Sequence, residues 1–180
     1  MMLNSFCRAA AAVMGCTALI ASGCSFLQSS AEVTPVDQQF MLTAASEEIA
    51  EVDMAELAER HAGDPAVKAY GHRLAQEYTH INAELSQLAD RKRVNLINAM
   101  DPANRTLYEE LTNLNGKLFD REYLRAQINI HRMGNGLYES EAQAGEDADV
   151  KAFAAKNAPV GVEHLQLAQA LLLKEQQAGR

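Results

Sequence analysis

The sequence predicts an all-α fold, and three features of its 180 residues support that class. Apolar residues make up 48% of the chain, so a packed core can form and a disordered protein is excluded. The ten Gly and four Pro are too few for the turns of a β-rich fold, and the runs of Val, Ile and Thr typical of strands are missing. Apolar residues instead recur at helical spacing in several long segments. The length corresponds to about one domain.

The first 23 residues have the pattern of a signal peptide. Arg8 is followed by an uncharged apolar run, residues 9–21, which is too short to span a bilayer. Small residues then lead to Cys24, and this arrangement resembles the lipobox of bacterial lipoproteins. The resemblance implies that Cys24 becomes the lipidated first residue, whereas the alternative is an ordinary cleaved signal with an incidental thiol. Because Ser25, and not Asp, follows the cysteine, we expect a lipoprotein on the periplasmic face of the outer membrane, or alternatively a soluble periplasmic protein.

The mature chain would contain a single cysteine. Removal of residues 1–23 takes away Cys7 and Cys16 and leaves Cys24. An internal disulfide and cysteine-based zinc or iron–sulfur sites are then excluded. Residues 24–33 are predicted as a polar tether, and residues 34–177 as one helical bundle domain that its packed core alone must stabilise.

Each of the first two helices begins at a capping residue followed by proline. Thr34-Pro35 opens the first helix, which we expect to end near His61 because Gly63 follows. Asp64-Pro65 opens the second helix, which continues to about residue 90. An apolar stripe at steps of three, four and seven residues runs along the second helix and predicts its buried face. Its members are Val67, Leu74, Tyr78, Ile81, Leu85 and Leu88.

Three further helical segments follow. Asp101-Pro102 opens a short helix that ends at Asn115-Gly116, and a long helix then runs from about Lys117 to Ala144. Gly134 lies on the apolar stripe of that long helix, which predicts a kink or the close approach of another helix. Pro159 is expected to interrupt the last segment, leaving a short helix over residues 150–157 and a final helix over residues 160–176.

The net charge of −8 argues against nucleic-acid binding, because 24 acidic residues outnumber 16 basic ones and leave no basic patch for phosphates. The sequence contains no Gly-x-Ser-x-Gly element, phosphate-binding loop, dinucleotide-binding glycine cluster or His-Glu-x-x-His motif. Whether the protein is an enzyme stays open at this point, and a non-enzymatic role is favoured.

A series of residues along most of the predicted helices carries a resemblance to a known family. The series consists of Glu51-Val52, the segment 82–85, the segment from Leu114 to Leu124, His131, Phe153-Ala154, Pro159 and His164. Through these residues the region from Phe40 to Leu172 resembles the ferritin-like bacterial envelope family known as domain of unknown function 4142. That resemblance implies an exported, ferritin-like, up-and-down helical bundle with extra short helices and no established reaction. One departure is that Glu77-Tyr78 stands where the family usually has an Asp-His pair, with the histidine displaced to His80.

Ferritin-like dimetal sites need inward carboxylates on two helices and a Glu-x-x-His pair on each of the other two. Only one such pair exists here, Glu77-x-x-His80, and at about 100° per residue both side chains lie outside the apolar stripe of the second helix. Tyr78 lies on the stripe, which favours a core tyrosine with a bonded hydroxyl over a metal ligand. We therefore predict no dinuclear centre.

His131 would need partners from other helices to form a site. Asp120 shares its azimuth but lies about 16 Å away along the same helix, so the two cannot hold one ion together. The resemblance points to Glu51 and His164 as partners. Glu51 is costly to bury unless it is paired, and the alternative is that its face of the first helix is wet. For His164 the favoured interpretation is a structural histidine.

The sequence therefore indicates a candidate metal or polar cluster of Glu51, Glu77, His131 and His164, with Tyr78, His80 and Asp120 as secondary candidates. No cofactor is predicted beyond a single, weakly held divalent ion. The favoured role is structural, stress-related or partner-binding, in a protein attached to the membrane by its lipid. The alternatives are a metal-binding or metal-dependent redox protein and a carrier of a small apolar ligand. No protein partner can be named.

Overall fold

The computed structural model of the protein describes residues 33–178. Five helices follow one another: α1 (Pro35–His61), α2 (Pro65–Lys92), α3 (Pro102–Thr112), α4 (Gly116–Ala144) and α5 (Ala148–Ala178). This range contains no strand, only an isolated bridge between Ala62 and Gly116, so the all-α prediction is confirmed. The predicted signal peptide, the lipidation site Cys24 and the tether up to residue 32 lie outside the described residues.

The predicted capping residues begin the first three helices. The Oγ1 atom of Thr34 accepts a hydrogen bond from the backbone N–H of Asp37 at 3.2 Å. Asp64 and Asp101 accept corresponding bonds from the backbone N–H groups of Ala66 and Ala103, at 2.7 and 2.8 Å. Each cap satisfies a backbone donor that the helix itself leaves free. The starts of α1, α2 and α3 are therefore encoded locally.

The bundle contains one long crossover. Gly116 at the start of α4 pairs with Ala62 just after α1, and the backbone N–H of Glu146, just after α4, donates to Asp37 near the start of α1 at 2.9 Å. Helix α4 therefore runs antiparallel to α1 and parallel to α2, and residues 93–115, including α3, connect one end of the bundle to the other. This corrects the expected up-and-down order, because α2 and α4 run in the same direction. Several short helices were expected, but α3 is the single short helix among the described residues.

Helix α5 is continuous, so the predicted break at Pro159 is wrong. Proline removes one backbone N–H, which would otherwise bond to the carbonyl of Ala155. Both Pro159 and Ala155 are exposed, and water can therefore serve the carbonyl that proline leaves free. The proline costs this helix less than it would cost a buried one.

The four long helices enclose the core. Leu74 and Leu85 of the predicted α2 stripe are fully buried, and Ile81 is 4% exposed. Helices α1 and α2 approach closely at Gly71, where a Cβ atom would lie 2.8 Å from the Cβ of Ala58. Small residues thus allow the backbones of α1 and α2 to approach each other closely. No helix in residues 33–178 combines the length and apolarity needed to cross a membrane.

Candidate functional site

A cluster of ionisable and aromatic side chains lies inside the bundle, and each of the four long helices contributes to it. Glu51 comes from α1, Glu77 from α2, His131 from α4 and His164 from α5. Glu51 and His131 are each 2% exposed, and His164 is fully buried. The structure thus brings together all four residues of the candidate cluster, and the alternative of an exposed Glu51 is wrong.

His131 is held between Glu51 and Tyr70. Its Nδ1 atom lies 3.4 Å from Oε1 of Glu51, and its Nε2 atom lies 3.2 Å from the hydroxyl oxygen of Tyr70. The Tyr70 hydroxyl also donates to the backbone carbonyl of His164 at 3.2 Å. Both imidazole nitrogens of His131 are therefore oriented by groups from other helices.

His164 connects the cluster to the edge of the bundle. Its Nε2 atom lies 2.6 Å from Oε2 of Glu77, whose side chain is 34% exposed. Glu77 also accepts a hydrogen bond from Nε of Arg73 at 2.8 Å. Partial burial opposes ionisation of Glu77, but the hydrogen bonds from Arg73 and His164 lower its pKa below the usual value. Glu77 lies off the α2 stripe as expected, yet it reaches a buried histidine from the rim.

Tyr78 forms an aromatic wall of the cluster. Its ring is within 10° of parallel to that of His131, with the ring centroids 6.1 Å apart. The centroid of His164 lies 5.9 Å from that of Tyr78 and 5.6 Å from that of His131. These contacts orient both imidazoles, and the position of Tyr78 fits the expectation of a core tyrosine. The expected hydrogen bond of its hydroxyl is not found among the described residues.

Burial controls the protonation of the cluster. It raises the pKa of the Glu51 carboxyl to about 8 and lowers the pKa of His131 to about 3. Burial also lowers the pKa of His164, although the neighbouring Glu77 acts in the opposite direction. At neutral pH the interior of the cluster therefore carries little charge.

Glu48 was not among the residues predicted for the cluster. It is 1% exposed and accepts a hydrogen bond from the hydroxyl of Tyr138. Burial raises its pKa to about 8. Glu48 lies three residues before Glu51, so both fall on the same face of α1, and this spacing could have revealed it. Because α1 is apolar on two sides, its sequence pattern gives no single buried face.

A small cavity of about 30 Å³ lies beside Glu48, Glu51 and His131. Gly134 and Gly161 also line it, and their missing side chains leave room near the polar groups. At Gly134 the close neighbour is Oε2 of Glu47, 3.4 Å from where a Cβ would lie. The neighbour of Gly134 is therefore a glutamate side chain at ordinary contact distance, and the predicted close approach of another helix at this glycine is not found.

Asp120 and His80 do not join the cluster. Asp120 is buried at the turn between α1 and α2, where its carboxylate accepts hydrogen bonds from the backbone N–H groups of Gly63 and Asp64, each at 2.9 Å. His80 has a side chain that is 74% exposed and lies beside Glu84 on the surface. This corrects their place among the secondary candidates, because one is a structural cap and the other faces water.

The donor atoms of the cluster limit the metal that it could hold. Among residues 33–178, no group of three or more His, Cys, Asp or Glu side chains is arranged to hold one ion. The cluster instead contains two pairs, Glu51 with His131 and Glu77 with His164. Both carboxyl oxygens of Glu51 and Nδ1 of His164 are buried without a hydrogen-bond partner. These residues do not fit a dinuclear centre, but free donors for a single ion are present.

The fold and the cluster together define a four-helix bundle with one long crossover and a polar core that all four long helices build. Residues 24–171 match the family described as domain of unknown function DUF4142, and the chain belongs to that family. We found no curated protein that matches the sequence.

Solved structures share this fold at low sequence identity. A DUF305 fragment from Deinococcus radiodurans is similar with a TM-score of 0.71 and 13% identity, covering 79% of this chain and 98% of the other. A DUF305 protein from Streptomyces coelicolor, described as secreted, gives a TM-score of 0.69 at 18% identity, with 78% and 92% covered. CopM in its Cu(II)-bound form gives 0.66 at 17% identity, with 77% and 96% covered.

Proposed function

We propose that this protein is exported, is anchored by a lipid on Cys24, and has a non-enzymatic structural, stress-related or partner-binding role in the cell envelope. The small residues before Cys24 and the apolar run at residues 9–21 support export and anchoring. Ser25 after the cysteine supports the outer membrane as the destination. The membrane is then a partner through the lipid.

The size of the internal cavity carries the proposal of a non-enzymatic role. Pockets for small organic molecules enclose about 300–1,000 Å³. The cavity beside Glu51 and His131 encloses about 30 Å³, which is room for one or two water molecules or a single ion. The polar groups that could do acid–base chemistry therefore lie where an organic substrate does not fit.

Substitution of Cys24 by alanine tests the anchor. The wild-type protein should incorporate a labelled acyl chain and fractionate with membranes, whereas the Cys24→Ala variant should do neither. Cys16→Ala, which removes a cysteine inside the predicted signal peptide, is the matched control and should behave as wild type. A Cys24→Ala variant that is still labelled and still fractionates with membranes would refute the lipid anchor.

Metal binding is the second candidate function, and the unpartnered donor atoms of Glu51 and His164 favour it. A bundle with one long crossover is the connectivity of ferritin-like folds, several of which hold metals in the core. Structures similar in fold also include CopM in Cu(II)-bound and Cu(I)-bound forms.

Equilibrium dialysis tests this second candidate. The bundle domain, dialysed against a range of Mn²⁺, Co²⁺, Zn²⁺ and Cu²⁺ concentrations, should take up one ion per chain from at least one of these solutions. Absence of uptake from all four at millimolar concentration would reject metal binding.

A further inference from the structure

We infer that Glu51 and His131 are the two protein ligands of a single divalent transition-metal ion at the edge of the cavity. This inference rests on the second candidate function and names the residues, the atoms and the kind of ion. It follows from the hydrogen bonds around His131, from one distance, and from the burial of both side chains.

The hydrogen bonds of Tyr70 favour one tautomer of His131. A backbone carbonyl can only accept, so the Tyr70 hydroxyl gives its single proton to the carbonyl of His164. The second contact of that hydroxyl, with Nε2 of His131, is then a hydrogen bond only if Nε2 carries the proton and donates it. In a neutral imidazole, Nδ1 is left with its lone pair, and this atom faces Glu51.

The Nδ1 atom and Oε1 of Glu51 are thus two electron-pair donors that face each other in the interior. Their separation of 3.4 Å is longer than an ordinary O–H···N hydrogen bond. Neither Glu51 oxygen meets the geometry of a hydrogen bond, although the side chain of Gln127 lies near enough to lower the pKa of Glu51 against the effect of burial. Nitrogen and oxygen ligands about 2.1 Å from a tetrahedral ion lie about 3.4 Å from each other. The pair therefore has the spacing of two ligands that share one ion.

The surroundings of the pair resemble those of a ligating histidine in metalloproteins. A metal-bound imidazole commonly donates its second N–H to a neighbouring acceptor, which fixes its orientation, and Tyr70 occupies that position for His131. The parallel ring of Tyr78 further restrains the imidazole plane. Glu48 lines the same cavity, and its Oε2 atom is buried without a partner.

The chemistry of the donors selects the kind of ion. One carboxylate and one imidazole suit borderline divalent ions such as Zn²⁺, Co²⁺, Mn²⁺ or Cu²⁺, whereas Cu⁺ prefers sulfur ligands, which this pair does not supply. The remaining coordination positions face the cavity, which has room for water. With only two protein ligands, the ion is held weakly and exchanges with solution.

A Co²⁺ titration followed by calorimetry and visible absorption tests the inference. The wild-type bundle should bind one Co²⁺ with a change in its d–d bands, and Glu51→Gln and His131→Ala should each weaken binding by at least about tenfold. His80→Ala, which removes an exposed histidine, is the matched control and should bind as wild type. Circular dichroism establishes that each variant is folded.

Unchanged Co²⁺ affinity in the Glu51→Gln variant would overturn the inference. The second candidate function would survive that result, because the protein would still bind the metal. A wild-type protein that binds no Co²⁺ and no other ion in dialysis would reject both. If His131→Ala does not fold, electron spin-echo spectra of the wild-type protein with bound Cu²⁺ replace that variant. The coupling of the copper to an imidazole nitrogen then tests whether a histidine is a ligand. One imidazole nitrogen signal in the wild type, with weakened Cu²⁺ binding in Glu51→Gln, supports the inference, and absence of the nitrogen signal contradicts it.

Discussion

At the scale of single residues, burial determines the behaviour of the acidic side chains on α1. Glu48 and Glu51 are almost fully buried, and the pKa of each is raised to about 8 from an ordinary value of 4.5. Between pH 4.5 and about pH 8 the folded state therefore holds more protons than the unfolded chain. By linkage, these groups lower the free energy of unfolding as the pH rises through that window.

The first prediction concerns this pH dependence, measured by urea denaturation with a chelator present. His131, whose pKa is lowered to about 3, acts in the opposite direction, but only up to its unfolded value of 6.5. Between pH 6.5 and 8 the stability of the wild type should therefore fall, by at most about 1.4 kcal/mol per pH unit for each buried carboxyl. Glu48→Gln should show a shallower fall, because its amide does not titrate.

Glu56→Gln is the control for that experiment, since the Glu56 side chain is 57% exposed. It should keep the slope of the wild type. A wild-type stability that rises between pH 6.5 and 8, or a slope that Glu48→Gln leaves unchanged, would show that Glu48 is ionised in the folded protein.

The second prediction concerns the buried face of α2. Leu74→Ala and Ile81→Ala should each lower the free energy of unfolding by about 2–5 kcal/mol, because each substitution removes buried methyl groups and leaves a cavity. His80→Ala should cost little, since that side chain is 74% exposed. Equal losses of unfolding free energy for all three variants in urea denaturation would mean that α2 does not bury the face that carries Leu74 and Ile81.

Several residues of the cluster could be selected from sequence, and others could not. Glu51 was a candidate because a carboxylate is costly to bury without a partner and because the family resemblance includes it. The same resemblance supplied His131 and His164. Tyr70 gave no such signal, because the sequence pattern does not reveal that its hydroxyl lies between α4 and α5 in the folded bundle. Asp120 was misjudged because its partners are backbone N–H groups of a distant turn, which sequence spacing does not reveal.

At the scale of helices, small residues set how closely α1 and α2 pack. An added Cβ at Gly71 would lie 2.8 Å from the Cβ of Ala58 and 2.9 Å from the carbonyl oxygen of Ala55. Neither neighbour is the end of a flexible side chain, so one helix must move. Gly136 in α4 is exposed and has no atom within 4 Å of such a position.

The third prediction compares these two glycines. Gly71→Ala should lower the free energy of unfolding by about 1–3 kcal/mol, because the strain of overpacking exceeds the gain in helix propensity. Gly136→Ala should raise it by about 1 kcal/mol, since only the propensity changes. Thermal denaturation of both variants checks the pair, and a stabilising Gly71→Ala would contradict the close packing of α1 against α2.

The starts of α1, α2 and α3 were predictable because each of their caps acts within four residues of its own chain. The continuity of α5 was not, because the cost of Pro159 depends on whether the carbonyl that it leaves free can reach water. That exposure is a property of the folded bundle. Local rules of sequence therefore predict where these helices begin better than whether they continue.

At the scale of the whole molecule, the crossover over residues 93–115 arranges the helices so that the four most extensively packed pairs of long helices are antiparallel. Helix α1 packs against α2 and α4, and α5 packs against the same two helices from the other side. Sequence periodicity gives no direction to a helix, so the parallel order of α2 and α4 could not be predicted. This order brings Glu51, Glu77, His131 and His164 together from four separate helices.

Elemental analysis of the purified bundle domain tests the central account most directly. The protein is prepared without chelator and dialysed before its iron, manganese, zinc and copper are measured. We expect no more than one ion per chain, and well under one equivalent of iron or manganese, because no group of three or more His, Cys, Asp or Glu side chains within residues 33–178 is arranged to hold one ion. Two equivalents of iron or manganese, lost together in Glu51→Ala, would contradict the account and indicate a dinuclear redox centre.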